Sequence, residues 1–202
     1  MYNVQCTNPD AAIGSLSFAA IDFESAGAAP GETDCPVQIG IVRVNTLFEQ
    51  EELFDSYIAP THPVHWSAAK VHGITTEKLA DAPAFSSLWP DLRRLLSGCV
   101  VVGHNPATEM RFLKAFPGHG FSPWLDTLAL ARKALPSLGD HSLGTVCEAL
   151  GITAEVQRLV PARRWHDALF DAVGSLVLLR FLVRELHMEN APLGGLNFAL
   201  KS

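Results

Sequence analysis

The sequence predicts an α/β domain built on a mixed β-sheet, and three observations support this fold class. Apolar segments at residues 16–25, 37–45 and 53–60, joined by short connections, are typical of three consecutive antiparallel strands. From residue 99 onward, segments with strand and helix character alternate, which favours parallel strands with helices packed against them. The 202 residues suit one domain, and no long linker or internal repeat divides them.

Turn residues and apolar spacing predict the order of the elements. Gly27, Pro30 and Gly31 indicate a turn after the first strand. The apolar run at 99–105, followed by Pro106, is typical of a buried central strand that leads into a helix. The other predicted elements are a helix at 67–75 closed by Gly73, a helix at 84–97, a strand and helix at 124–136, a helix at 141–152, a loop at 153–164 and a final helix at 165–188.

Composition indicates a globular protein that is not inserted into a membrane. Hydrophobic residues make up 48% of the chain and charged residues 18%, as in compact domains. Neither a signal-peptide pattern nor an uncharged apolar run of about 18 residues is visible. We therefore expect no membrane contact, a flexible N-terminal leader at 1–15, a folded domain at 16–189 and a C-terminal tail at 190–202.

The cysteines and the net charge narrow the classes of function. Cys6, Cys35, Cys99 and Cys147 form no C-x-x-C pair, so we expect free, buried thiols and a cytoplasmic location. The formal net charge of −6 argues against a protein that coats duplex nucleic acid without regard to sequence. It does not exclude an enzyme that holds a few nucleotides, since bound cations would neutralise part of the negative charge.

Acidic residues from both ends of the chain form the pattern that points to chemistry. Asp22 and Glu24 stand two apart on one face of the first strand, where they repel unless a cation lies between them. His166 and Asp171 lie near the start of the final predicted helix, and Glu109 lies in the first turn of the helix after the central strand. Each group alone has an ordinary explanation, such as a solvated strand end or an acidic helix N-terminus. Their combination predicts a divalent-metal site for phosphodiester cleavage.

Taken together, the motifs resemble those of the DnaQ-like 3′–5′ exonucleases of the DEDDh type. IDFES is similar to the first motif of that family, GHNPATEMRFL to the second and HDALFDA to the third, while VHGIT resembles the segment near the terminal nucleotide. The resemblance spans about residues 16–185 and implies a ribonuclease H-like fold, with helices around the mixed sheet. It also implies that two ions, Mg²⁺ or Mn²⁺, are held by the carboxylates of Asp22, Glu24, Glu109 and Asp171.

The resemblance further implies a reaction and its partners. One ion activates a water molecule, His166 accepts the proton of that water, and the second ion stabilises the leaving 3′-oxygen, so that a nucleoside 5′-monophosphate is released. The expected partners are the 3′ ends of single-stranded DNA or RNA. Candidate substrate-binding residues are His72, Asn105, Arg164 and Phe23, although Phe23 points to the opposite face of its strand from the carboxylates and is interpreted as core.

Several alternatives stay open at this point. The family usually has Asp where this chain has Glu109, and the extra methylene moves the carboxylate by about 1 Å or more, a change to which metal catalysis is sensitive. A catalytically weak nucleic-acid-binding module with the same fold, or a metallohydrolase of small phosphate esters, is therefore an alternative. The sequence does not show whether the substrate is DNA or RNA. It also leaves open whether the protein is a polymerase proofreading subunit or a stand-alone enzyme in DNA repair, and whether it is a monomer or a homodimer.

Overall fold

A computed structural model describes residues 8–201 and has a mixed six-stranded sheet at its centre. The strands are β1 (Phe18–Ser25), β2 (Pro36–Val44), β3 (Glu52–Tyr57), β4 (Val100–Gly103), β5 (Trp124–Asp126) and β6 (Leu200–Lys201). Their order across the sheet is β3-β2-β1-β4-β5-β6. The first three strands pair antiparallel, whereas β1 with β4 and β4 with β5 pair parallel. The predicted mixed sheet is therefore confirmed, and the change of direction occurs at β1.

Helices cover both faces of the sheet. In the described part of the chain they are α1 (Trp66–His72), α2 (Trp89–Leu96), α3 (Ala107–Leu113), α4 (Thr127–Ala134), α5 (Leu143–Ala149), α6 (Thr153–Leu159) and α7 (Ala168–Glu185). Phe18 and Ala20 of β1 share a core with α7, whereas Ala19 and Ile21 share another with α2 and α3. None of the helices within residues 8–201 is both long and apolar enough to cross a membrane.

The predicted loop at 153–164 is wrong over its first half, where α6 forms. Ile152, Val156 and Val160 follow a four-residue spacing, and all three are buried in the core that contains α7. The charged residues between them, such as Arg158, hide this apolar pattern in the sequence. The final helix also begins later than predicted, at Ala168, with Asp167 as its N-cap.

The ends of the described chain pack together, in contrast to the predicted leader and tail. Residues 1–7 of the leader lie outside the described residues. Ile13 is fully buried, and Ala12 forms an antiparallel bridge with Pro192. In the predicted tail, Leu193 is buried in the same core, and β6 adds an antiparallel strand beside β5. Each segment supplies apolar side chains that the other covers, so both become ordered.

The approach of α7 to the sheet depends on Gly40 in β2. A Cβ atom at this position would lie 2.2 Å from the backbone nitrogen of Leu169 and 2.3 Å from the carbonyl carbon of Ala168, both in the first turn of α7. Atoms at these distances overlap, so glycine allows the helix to rest directly on β2. Gly40 is also the antiparallel partner of Asp22. The first turn of α7 is therefore held beside the acidic end of β1.

We expect Gly40→Ala to destabilise the fold by about 3 kcal/mol, because the added methyl group overlaps backbone atoms that cannot move without displacing α7. Gly139→Ala is the matched control, since nothing lies within 4 Å of a Cβ atom at that position. Urea unfolding followed by circular dichroism measures the free energy of unfolding of both variants. Equal stability of the two would mean that α7 can move away from β2 at little cost.

Candidate active site

Asp22 and Glu24 lie at the C-terminal end of β1, on the face of the sheet that α7 covers. β1 is a central strand with β2 on one side and β4 on the other. Side chains two residues apart on a strand point the same way, and Phe18 and Ala20 of this face pack in the α7 core. The same row of side chains thus changes from apolar to acidic where β1 ends. This change places two carboxylates at the rim of the core.

Hydrogen bonds fix the N-terminus of α7 and so position Asp171 in its first turn. Asp167 Oδ1 accepts a hydrogen bond from the backbone N–H of Leu169, at 3.1 Å. Gln38 is buried on β2, where its amide donates to Asp167 Oδ2 at 3.1 Å and its carbonyl oxygen accepts from the N–H of Ala168 at 3.3 Å. The start of the helix is therefore both capped and tied to β2.

His166 approaches the same point from the loop before α7. Its φ of 67° lies in the left-handed region, which costs a non-glycine residue about 1–3 kcal/mol and is found mainly where the surrounding structure enforces it. Its backbone N–H donates to Asp171 Oδ2 at 3.3 Å. One ring nitrogen of His166, one oxygen of Glu24 and one oxygen of Asp171 lie within 4.8 Å of one another. His166 itself is exposed, so its imidazole faces both the carboxylates and solvent.

Glu109 completes the acidic group from α3. This helix follows β4, the parallel neighbour of β1, so its first turn lies at the edge of the sheet where β1 ends. Only 6% of Glu109 is exposed. Its charge raises the pKa of both Asp22 and Glu24, which shows that the three carboxylates are close enough to repel. The residues predicted from the first, second and third motifs are thus brought together in the fold.

Burial, with added repulsion from negative neighbours, raises the pKa of all four carboxyl groups. The pKa of Glu24 rises to about 8, first because of burial and then because of Asp171. The pKa values of Glu109 and Asp171 rise to about 7, and burial is again the largest cause. The pKa of Asp22 lies well above its usual range because of burial, Asp171 and Glu109. Near neutral pH, such a group carries its full negative charge only when positive charge is added.

The donor atoms of this group fit hard divalent cations. Carboxylate oxygens are the ligands that Mg²⁺ and Mn²⁺ prefer, and no thiolate is among the four residues. Asp171 Oδ1 is buried and accepts no hydrogen bond from any residue in the range 8–201, which leaves a lone pair available for a cation. A bound cation would also remove the repulsion that raises the four pKa values. Asp22, Glu24, Glu109 and Asp171 are therefore suited to hold such ions.

His72, a candidate substrate-binding residue, already uses both ring nitrogens inside the chain. Its Nδ1 accepts from the N–H of Ile74 at 3.0 Å, so its Nε2–H donates to the carbonyl oxygen of Ser25 at 3.1 Å. Burial lowers the pKa of His72, which favours this neutral form. A ligand could therefore meet only its ring surface, and the histidine joins the end of α1 to the end of β1.

The other three candidates differ in how accessible they are. Asn105 and Arg164 are exposed, Asn105 in the turn between β4 and α3 and Arg164 before α7. Phe23 is only 6% exposed, and its ring packs edge-on against Phe85 and Phe112 with centroid distances of 5.7 and 5.5 Å. Side chains alternate along β1, so Phe23 lies in the core on the far face. Its place among the substrate-binding candidates is wrong, and its interpretation as a core residue agrees with the structure.

Two buried polar residues that support the site are missing from the sequence-based predictions. Gln38 anchors the start of α7 to β2 through two hydrogen bonds. Asp126, at the end of β5, accepts hydrogen bonds from the N–H groups of Asn105 at 3.0 Å and Leu128 at 2.9 Å, and pairs with Lys201 at 2.7 Å. It thereby holds the turn that leads into α3. In the sequence, Asp126 could have been recognised as an acidic residue at the end of an apolar strand.

Comparison with known proteins finds relatives that are similar in sequence over most of this chain. The sequence model of the RNase_T family, described as an exonuclease, matches residues 19–179. The DNA polymerase III subunit epsilon-like protein of Rhodobacter capsulatus is 33% identical over 168 residues, which cover 81% of this chain and 23% of that protein. DNA polymerase III subunit epsilon of Pasteurella multocida is 30% identical over 164 residues, which cover 75% of this chain and 62% of that protein. The chain thus spans less than two thirds of the length of these relatives.

Solved structures share the fold. Exonuclease X, in complex with 5′-overhanging duplex DNA, superposes with a TM-score of 0.70 at 22% identity, covering 89% of this chain and 98% of that one. The nuclease domain of 3′hExo, a DEDDh family member bound to rAMP, superposes with a TM-score of 0.68 at 16% identity, covering 90% and 98%. The predicted ribonuclease H-like fold is therefore confirmed.

We expect the metal-free protein to lose stability as the pH rises from about 5 to 8. The folded-state pKa values of about 7 to 8 for Glu24, Glu109 and Asp171 exceed the usual carboxyl values. The folded chain therefore binds more protons than the unfolded chain in this interval, so the stability present at low pH is lost as the pH passes through the raised values. Thermal unfolding in EDTA across this range measures the effect.

The same experiment with Mg²⁺ is the control. Cations that bind the deprotonated carboxylates should raise the unfolding midpoint at pH 8 more than at pH 5. A midpoint that neither falls with pH in EDTA nor responds to Mg²⁺ would contradict both the raised pKa values and the cation site.

Proposed function

The chain belongs to the RNase_T exonuclease family, and on that premise we propose that it is a 3′–5′ exonuclease that removes nucleotides one at a time from the 3′ ends of single-stranded DNA or RNA. The observation that carries this proposal is the convergence of Asp22, Glu24, Glu109 and Asp171, with His166 beside them, at one end of the sheet. Four carboxylates that are buried or partly buried and repel one another have no structural advantage. They are explained if the group binds cations and a phosphodiester.

The chain's own residues have separate roles in this proposal. Asp22, Glu24, Glu109 and Asp171 would hold the divalent ions, which supply Lewis-acid activation of water and neutralisation of charge on the phosphate. His166 would accept the proton of the attacking water, since its ring lies beside Glu24 and Asp171. Because His166 is exposed, it can pass that proton on to solvent. The hydrogen bond from its backbone to Asp171 keeps base and metal ligand in one fixed arrangement.

Three residues would form the surroundings of the substrate. Arg164 is exposed, with Nη2 3.8 Å from the Cβ position of Gly73, so its guanidinium lies beside the end of α1 and can contact a phosphate. Asn105 presents an exposed side chain from a turn whose backbone Asp126 holds. His72 would shape the floor of the terminal-nucleotide site without donating a hydrogen bond to it.

The direct test uses single-stranded DNA and RNA oligonucleotides with Mg²⁺, Mn²⁺ or EDTA. Substrate labelled at its 5′ end should give a ladder of products that become shorter by one nucleotide at a time. Substrate labelled at its 3′ end should release the label as a mononucleotide from the start of the reaction. Asp171→Asn should lower the rate by about 10²–10³-fold or more, because it removes one of the charges that hold the ions. The preferred sugar follows from the ratio of rates on DNA and RNA.

Asp91→Asn is the matched control for this substitution. Asp91 is a partly exposed aspartate of α2, on the opposite face of the sheet from α7, so its loss should leave the rate unchanged. Folded wild-type protein that binds oligonucleotides but cuts none in any metal would favour the weak binding module. Cleavage of small phosphodiesters without shortening of oligonucleotides would favour the small-ester hydrolase.

Variants of Glu109 test whether this longer carboxylate is adapted to the site. We expect Glu109→Gln to lose about 10²–10³-fold in rate, because the charge is removed, and Glu109→Asp to lose about 10-fold, because the shorter side chain no longer reaches the same point. Rates at saturating Mg²⁺ and Mn²⁺ separate weak ion binding from a slow chemical step. A rate for Glu109→Asp well above wild type would mean that Glu109 impairs catalysis in this chain.

A further inference from the structure

A second group of potential metal ligands lies between two loops. Glu32 belongs to the connection between β1 and β2, and His62 and His65 belong to the segment that precedes α1. One ligand atom from each of these three side chains lies within 4.8 Å of the other two. The distance between His65 Nε2 and Glu32 Oε2 is 3.0 Å. None of the three residues contributes to the carboxylate group at the end of β1.

Both ring nitrogens of His62 lie close to backbone carbonyl oxygens. Its Nδ1 lies 3.1 Å from the carbonyl oxygen of Pro63, and its Nε2 lies 3.2 Å from the carbonyl oxygen of Thr33. A neutral imidazole has one N–H, so it can donate to only one of these oxygens. If Nδ1–H donates to Pro63, the lone pair of Nε2 faces an oxygen that also carries lone pairs. A cation between them would remove this conflict, and the Nδ1 hydrogen bond would orient the ring as it does in metal sites.

A nearby thiol makes the ligand atoms of this cluster softer than the carboxylate oxygens of Asp22, Glu24 and their partners. Cys35 Sγ is buried and lies 3.6 Å from His62 Nε2. Two donors that share a tetrahedral zinc ion, at about 2.1 Å for nitrogen and 2.3 Å for sulfur, are separated by roughly 3.6 Å. Imidazole nitrogen with carboxylate oxygen suits Zn²⁺, whereas Mg²⁺ prefers oxygen alone. The chemistry of this cluster therefore differs from that of Asp22, Glu24 and their partners.

We propose that Glu32, His62 and His65 bind a zinc ion that joins the β1–β2 connection to the start of α1, with Cys35 beside it. In the fold, such an ion would strengthen the attachment of α1 to the end of β1 and the connection that follows it. The N–H of His65 donates to the carbonyl oxygen of Ala26 at 2.8 Å, and at the other end of α1 His72 donates to Ser25. Zinc would reinforce the first of these attachments through side chains. The ion would hold α1 in place without taking part in hydrolysis.

The test measures zinc directly in the 202-residue chain carrying Asp171→Asn, so that catalysis and cation binding by the carboxylates at the end of β1 are impaired in every sample. After equilibrium dialysis against Zn²⁺, mass spectrometry of the metal should find about one zinc per chain more in this parent than in the same chain with His62→Ala or with His65→Ala. His187→Asn, which removes an exposed histidine and suits the left-handed backbone there, should keep the zinc of the parent.

Co²⁺ provides a second measurement on the same variants. The parent should show the strong visible absorption of tetrahedral Co²⁺, which Zn²⁺ should displace, and the His62 and His65 variants should lose it. Zn²⁺ should also raise the thermal unfolding midpoint of the parent and of His187→Asn, but not of the two cluster variants. Equal zinc content and equal spectra in all chains would overturn the proposal. Glu32→Gln, at an exposed residue, repeats the test if a histidine variant does not fold.

Discussion

The close contact between the first turn of α7 and Gly40 is the constraint on which the acidic site depends. Gly40 pairs with Asp22 across the β1–β2 ladder, and a side chain at Gly40 would occupy the space of the helix backbone. The helix can therefore begin directly on β2, beside the strand that carries Asp22 and Glu24. Asp171, one turn into α7, then lies near Glu24 and repels Asp22, and the loop before the helix carries His166 to the same point.

Such a group of carboxylates is unfavourable by itself, and the surrounding structure supports it. The repulsion appears as raised pKa values, and the left-handed backbone of His166 adds strain. The charge of Asp167 adds to the repulsion, but its side chain also caps α7 and pairs with Arg163, which contacts Asp55 on β3. Most of α7 is buried in the apolar core behind the site. The core keeps the acidic residues in a geometry that they would not adopt alone.

The two groups of polar residues differ in their chemistry and in what they would hold in place. The site at the end of β1 offers carboxylate oxygens and an exposed imidazole, a set suited to hard ions and to proton transfer. The cluster of Glu32, His62 and His65 offers two imidazole nitrogens beside the thiol of Cys35, and joins two loops. α1 links the two groups, because His65 stands at its start and His72, at its end, donates a hydrogen bond to Ser25, the last residue of β1.

The sequence by itself determined the mixed sheet and the residues that meet at its end, because strand and helix periods, turn residues and motifs are patterns of neighbouring positions. It did not reveal α6, whose apolar spacing is masked by charged residues, or the ordering of Ile13, which needs the distant Leu193 to cover it. The placement of Phe23 among substrate contacts failed because strand alternation buries it. Only the tertiary structure decided how closely α7 approaches Gly40 and which loops meet at His62, because distances between remote segments depend on packing and not on local pattern.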